Sequence, residues 1–283
     1  MRVLITGANG KIGRALFQYL LSKEYDVFGI DIDCSNILSL PHMKVDLLHE
    51  GQVYQTVSKF DAVIHLASYH RPGLVPDTLT FQNNVNALHN VLNSSMYMGI
   101  KKVLVASSVA VYGFRYSDLP VTPNYLPIDE DYPCAPVDSY GLSKLIGEFL
   151  ADSFSKRGNI NITSFRIPQV VVNFDGFEAR SSDPSGGIKK LWLYIDIRDV
   201  LKAFELALVT NTQGHRIINI SAADTDQTMS TLDLIHTYYP NVKIKTPLLG
   251  NETLLNINKA REILGFIPKY SWRTVYKYNN DVQ

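Results

Sequence analysis

Cysteine is scarce: the 283 residues contain two, Cys34 and Cys134, and no C-x-x-C pair. A disulfide framework and a structural zinc site are therefore not expected. The seven histidines are scattered without H-x-x-x-H spacing, so no metal is expected either. No segment approaches the roughly 20 apolar residues that span a bilayer. An excess of one charge sign is also missing, because Lys plus Arg and Asp plus Glu each number 27. A balanced chain carries no global footprint for nucleic acid or for a membrane surface. Internal repeats and low-complexity tracts are absent. The opening apolar run Val3-Leu4-Ile5 is too short for a secretory signal, which makes the cytoplasm the expected location.

What is present is an ordinary globular composition, 46% apolar and 19% charged. The length suits one large α/β domain or a main domain with a small lobe. Short β-rich runs alternate with helical stretches. Strands are expected at Val3–Ile5, Asp26–Ile30, Ala62–Leu66, Lys102–Ala106 and Ile162–Ile167. Helices are expected at Lys11–Leu21, Phe81–Met98 and Ser139–Ser155. Strands separated by helices imply parallel βαβ units with right-handed crossovers. The expected fold is a Rossmann-type doubly wound parallel sheet over residues 1–173. After Arg166-Ile167-Pro168 the pattern loosens, and Phe174–Gly187 reads as loop. A strand at Ile217–Ile220 and a helix at Thr231–Tyr238 suggest a small substrate-binding lobe over 174–283, with 194–210 returning to the first domain.

Between the first strand and the first helix lies Gly7-Ala8-Asn9-Gly10-Lys11-Ile12-Gly13. Gly7 allows the tight turn, Gly10 lets backbone approach a pyrophosphate, and Gly13 permits close helix–sheet packing. The helix start offers free N–H groups and a partial positive charge to phosphate. Asp31 closes the next strand, where a carboxylate accepts hydrogen bonds from ribose hydroxyls and repels a 2′-phosphate. No Arg or Lys lies between Asp31 and Leu40, so NAD is expected over NADP. Asp33 is the alternative ribose ligand.

Tyr140-Gly141-Leu142-Ser143-Lys144 puts Tyr140 and Lys144 on one helix face. A tyrosine with its reference pKa of about 10 is a poor proton shuttle near neutrality, and a nearby ammonium favours its phenolate. Ser108 offers a hydroxyl to position the substrate oxygen, with Ser107 as its rival.

These segments occur in order with Val45-Asp46-Leu47, His65-Leu66-Ala67-Ser68, Asn83-Asn84-Val85-Asn86, Ser107-Ser108-Val109-Ala110-Val111-Tyr112-Gly113 and Arg166-Ile167-Pro168. Tyr194-Ile195-Asp196-Ile197-Arg198-Asp199-Val200 and Lys259 to Phe266 follow. Together they resemble the extended short-chain dehydrogenase/reductases, the NAD-dependent epimerase/dehydratase family, across nearly the whole chain. The resemblance implies Ser108, Tyr140 and Lys144 as catalytic groups. It implies a dinucleotide held by Gly7, Asn9, Gly10, Lys11, Ile12, Gly13, Asp31 and Ile32, with Asp46 and Leu47 by the adenine. Leu66, Ala67 and Ser68 would line the cofactor, Asn84 would back the site, and Pro168 and Val170 would flank the nicotinamide beside Tyr140 and Lys144. It further implies a sugar-derived substrate and a homodimer formed through the helices at 81–98 and 139–155. The chain departs from the family pattern at Ala87-Leu88, where Gly-Thr is common, and at Ser68, where Ala is usual.

Dehydratases of the family place an acid just after the catalytic hydroxyl, whereas this chain has Val109-Ala110. Neither side chain titrates, so an epimerase or a dehydrogenase is expected rather than a dehydratase. The segment after Phe174 is short for a sugar-nucleotide lobe. Arg180, Lys189, Lys190 and Arg198 are candidates to grip a diphosphate, and Arg71 to meet a carboxylate. A nonenzymatic NAD-binding regulator on the same fold would be expected to have lost Tyr140 or Lys144.

Overall fold

In the computed structural model, which describes residues 1–36, 39–119, 121–177 and 182–274, seven parallel strands form one sheet. They are β1 (Arg2–Thr6), β2 (Asp26–Asp31), β3 (His42–Lys44), β4 (Ala62–His65), β5 (Lys102–Ser108), β7 (Asn161–Ile167) and β10 (His215–Asn219). The order across the sheet is β10-β7-β5-β4-β1-β2-β3. Growth therefore runs outward from β1 to β3, then restarts on the other side at β4. Strand β1 is buried on both faces, as a central parallel strand must be.

Successive side chains point to opposite faces. Val3 and Ile5 join a core with Leu16 and Phe17 of α1 (Lys11–Ser22) and Phe204 of α5 (Ile197–Val209). Leu4 and Val63 face the other core, with Val53 of α2 (Glu50–Val57), Val91 of α3 (Asp77–Tyr97) and Phe154 of α4 (Ser139–Arg157). Lys102 Nζ clamps the end of α5 by donating to the carbonyls of Ala207, Leu208 and Thr210. A cation there complements the negative end of the helix dipole.

The strand read at 217–220 belongs to the main sheet, where His215–Asn219 pairs with β7 as its edge. The helix α7 (Asn258–Leu264) also packs on that sheet through Ala260 and Leu264. The lobe in turn draws on earlier sequence. Tyr112, Phe114, Leu126, Ile128 and Tyr132 share a third core with Trp192, Leu193, Leu254 and Leu255, and with Leu234 of α6 (Thr231–Tyr238). Within it β6 (Tyr125–Leu126) pairs with β11 (Lys243–Ile244); β8 (Gln169–Val171) pairs with β9 (Tyr194–Asp196) against the α1-side core, through Val170 and Ile195. The loop read at 174–187 contains the start of a short 3-10 helix, Pro184–Lys190. Among the described residues no helix is long and apolar enough to cross a membrane, and no three His, Cys, Asp or Glu side chains cluster as metal ligands.

Candidate active site

The sheet changes its direction of growth between β1 and β4, and ligands of open α/β sheets lie in the crevice beyond such strand ends. The glycine turn leaves β1 there. Gly7 has φ +70°, and a Cβ on it would lie 2.5 Å from the Ala67 nitrogen. A Cβ on Gly13 would lie 2.1 Å from the Gly7 oxygen. Both contacts are impossible, so the turn, the helix and the Leu66–Ala67 backbone close together only because these positions lack side chains. Gly10 caps α1 without a side chain, which leaves the first N–H groups to a ligand. Lys11 and Ile12 form the first turn, with Lys11 exposed and Ile12 half-buried.

Asp31, ending β2, accepts a hydrogen bond from Asn9 N at 2.9 Å. Asp33 is taken up by its own turn, accepting from Ser35 N and Ser35 Oγ at 3.0 Å and from the Asn9 amide at 3.3 Å. Ile32 between them is 61% exposed. Asp46 Oδ1 accepts from Leu48 N, and buried Leu47 offers its carbonyl to Asn90. The set fits a dinucleotide: a cradle that any Cβ would fill, a helix N-terminus and a carboxylate at the end of the second strand.

The catalytic candidates lie on the β4–β5 side. Strand β5 runs beyond β4 and ends at Ser108, whose Oγ accepts from Ala110 N at 3.1 Å and caps the 3-10 turn Val109–Tyr112. Ser107 points the opposite way and donates to Glu148 Oε1 at 2.6 Å. Asp138 caps α4 by accepting from Gly141 N, which fixes the turn that carries Tyr140. Lys144 Nζ donates to Ser68 Oγ (3.1 Å) and Ala106 O (2.8 Å) and stands 5.7 Å from the Tyr140 ring centre. Burial draws its pKa down to about 8. The Tyr140 phenol is pushed up to about 12, chiefly by burial, while the Ser108 hydroxyl and the Arg115 guanidinium act the other way. Asn84 holds both chain atoms of Tyr69 and reaches Ser143 Oγ, tying the β4 loop to α4.

Below them lies a buried polar network. Arg166 on β7 forks onto Glu148, Nε to Oε1 at 2.9 Å and Nη2 to Oε2 at 2.7 Å, with both side chains 3% exposed. Its Nη1 donates to Tyr112 OH and to the Glu130 carbonyl. Tyr112 OH donates to Asn219 Oδ1, and Asn219 N donates to Glu130 Oε1. Tyr140, Lys144 and Glu148 thus stand at i, i+4 and i+8 on one face of α4.

Beside this site is a cleft lined by Val109, Tyr112, Arg115, Pro168, Gln169, Lys189, Lys190 and lobe residues. Val170 is half-buried on β8 against the α1-side core.

The sequence matches the NAD dependent epimerase/dehydratase family over residues 3–221. The chain belongs to that family. Among its relatives, the UDP-glucose 4-epimerase of Corynebacterium glutamicum is 26% identical over 316 aligned residues, spanning 96% of this chain and 92% of that enzyme. The uronate dehydrogenase of Pseudomonas putida is 27% identical over 220 residues, spanning 77% and 75%. Among solved structures, the UDP-glucuronic acid 4-epimerase from Bacillus cereus in complex with NAD has a TM-score of 0.69 at 26% identity, covering 96% of this chain and 94% of that one. The family assignment makes the chain an NAD-dependent enzyme of the extended short-chain dehydrogenase/reductase kind.

In this epimerase/dehydratase-family chain the cations picked out as diphosphate candidates take separate places. Arg198 is paired with Asp196 and stacked 3.7 Å from the Tyr270 ring centre. Lys189 donates to the carbonyls of Ser117 and Asp118. Lys190 lines the cleft, and Arg180 lies outside the described residues; Arg71, the carboxylate candidate, is exposed. The acidic run Asp129-Glu130-Asp131 is an anchor more than a solvated loop: Glu130 holds Asn219, and Asp129 pairs with Lys245. The family-typical sequence motifs did not single out Arg115. It follows Gly113-Phe114, and only the fold brings it to the cleft.

Proposed function

We propose that this chain is a sugar or sugar-nucleotide epimerase/oxidoreductase that acts by reversible hydride transfer through Ser108, Tyr140 and Lys144, and does no dehydration. The observation that carries the reading is the meeting of Ser108 and Tyr140 beside the dinucleotide crevice, with the nontitrating Val109 and Ala110 directly after the serine. NAD bound in the crevice supplies the hydride acceptor. Ser108 has one lone pair occupied by Ala110 N–H, which leaves its proton to donate to the substrate oxygen. Tyr140 exchanges the proton of that oxygen. Lys144, pinned between Ser68 and the Ala106 carbonyl, holds positive charge beside the phenol. Elimination of water needs a second acid/base pair, and neither Val109 nor Ala110 can exchange a proton. A panel of sugars, sugar acids and nucleotide sugars, followed by mass spectrometry and NADH fluorescence, tests this. A product of unchanged mass, or two hydrogens lighter, agrees. A product lighter by one water, or turnover of none of the panel by NAD-loaded protein, overturns it.

For the cofactor we propose Asp31 as the ribose ligand. The parent protein should bind NAD at least ~10-fold more tightly than NADP. Asp31→Ala should narrow the gap by about 10- to 100-fold, the range of one charge-assisted hydrogen bond. Titrations showing tighter NADP binding by the parent would refute the assignment.

We also propose a homodimer through α3 and α4. On α3, Leu88, Val91 and Leu92 are buried against the sheet, but on α4 Leu142 and Phe149 remain 41% and 62% exposed. Light scattering at micromolar concentration should give twice the chain mass, and Phe149→Glu should lower it to one. A parent protein already at one chain's mass contradicts the interface.

A further inference from the structure

The cleft beside Tyr140 holds a cation without an anion. Arg115 lines it together with Val109, Pro168 and Gln169, and no Asp or Glu shares the lining. Elsewhere in the fold Arg166, Arg198 and Arg273 are each ion-paired. Among the described residues the Arg115 guanidinium has no carboxylate or carbonyl partner. Its contact is the Tyr116 ring, 5.5 Å from ring centre to guanidinium carbon. Tyr116 in turn stands edge-on to Tyr140, with centroids 6.2 Å apart at 83°. Tyr116 thus touches both the guanidinium and Tyr140, and the cation acts on the Tyr140 phenol, which puts it toward the reacting end of the cleft. Two further cations line the cleft: Lys189 already donates to two main-chain carbonyls, and Lys190 is already engaged as well.

We propose that Arg115 binds a carboxylate carried by the reacting sugar ring, so that the substrate class is a hexuronate. This rests on the hydride-transfer reading of Ser108 and Tyr140. A guanidinium presents a planar fork of donors that matches a carboxylate in two parallel hydrogen bonds. A half-buried cation among apolar walls gains most from such a partner, because water competes weakly there. A diphosphate is also an oxyanion, but it hangs outward from the anomeric carbon, whereas Arg115 is placed beside the proton-transfer group. Arg115 also draws the phenol toward ionisation, and a bound carboxylate would moderate that effect.

The test uses the full NAD-loaded chain and four probes: glucuronate, glucose, UDP-glucuronate and UDP-glucose. Binding is read by titration calorimetry and turnover by product analysis. Each uronate should exceed its neutral counterpart in kcat/KM by about 100-fold or more. Arg115→Gln should cut uronate binding and kcat/KM by roughly 10- to 100-fold, mostly in KM, the span of one charged hydrogen-bonding pair. Binding of the neutral probes should change by less than about 3-fold, and Arg115→Lys should restore only part of the loss. Equal losses for UDP-glucose and UDP-glucuronate would show that Arg115 reads the diphosphate and would overturn the proposal. Absence of uronate binding, or binding indifferent to Arg115, would overturn it too. Arg115-dependent uronate binding with turnover of no probe would keep the receptor and reject the hydride-transfer reading.

Discussion

Tyr140→Phe should lower kcat by on the order of 10²–10⁴-fold, the usual worth of a positioned acid/base group, while NAD affinity changes by less than about 3-fold. The ring is 7% exposed and packs edge-on against Tyr116, so phenylalanine keeps the shape and removes only the hydroxyl. The pH dependence gives a second readout. Burial pushes the phenol up to about 12, against the pull of Ser108 and Arg115. In alcohol oxidation the group must accept a proton, so the active fraction is the phenolate. Below the folded pKa that fraction grows about tenfold per pH unit, so kcat/KM for oxidation should climb from pH 7 toward 9. The variant should lose both the rate and the climb. Near-parent turnover, or an unchanged pH profile at reduced rate, would remove Tyr140 from the proton-transfer role.

The largest stability effect is expected at Arg166. Its guanidinium and the Glu148 carboxylate are both 3% exposed, and they form a fork whose acceptor also takes Ser107 Oγ. Arg166→Met leaves Glu148 as a buried, unmatched charge, which costs about 3–5 kcal/mol. For a chain of this size that is a fall of roughly 10 °C in Tm. Arg166→Met combined with Glu148→Met removes both charges and should recover most of the loss. Thermal scans of the two variants decide it. A single variant as stable as the parent, or a double variant no better than the single, would mean that the pair does not anchor the sheet to α4. Because Glu148 lies one turn beyond Lys144 and Ser107 adjoins Ser108, the single variant should also loosen the catalytic spacing. A fall in kcat at temperatures where the variant stays folded would report that.

The long elements were legible because their signals are local. Strand β1 and helix α1 announce themselves through an apolar run, a glycine turn and a 3.6-residue pattern within 22 residues. The three-residue β3 has no room for alternation, and β6 pairs with β11 across more than a hundred residues of chain, so neither leaves a local trace. The lobe boundary blurred for the same reason. Phe114 and Ile128 find Trp192 and Leu254 only through tertiary packing. The geometry of the glycine turn, of Asp31 at the strand end and of the Tyr140–Lys144 helix face was legible because a tight βα turn and helix spacing are local. The choice between Ser107 and Ser108 as the residue facing Tyr140 needed the partner: strand alternation sends one toward Glu148 and the other toward Tyr140, and Glu148 lies on a different element. Arg115 belongs to no pattern, since a lone cation after a turn gains meaning only from what fails to neutralise it.

The lobe's core is separate from the two cores of the sheet. Tyr112 is one place where they touch, its ring in the lobe and its hydroxyl on Arg166, and Glu130 is another, its carbonyl on Arg166 and its carboxylate on Asn219 N. The two halves of the molecule can therefore diverge at different speeds. Residues around Trp192 can be exchanged, and the cleft reshaped for another sugar, while the grip on NAD and the alignment of α4 stay as they are. Distant, unshared sites combine additively in free energy. A lineage can then change what it acts on by small independent steps, provided that the contacts of Tyr112 and Glu130 across the boundary are left alone.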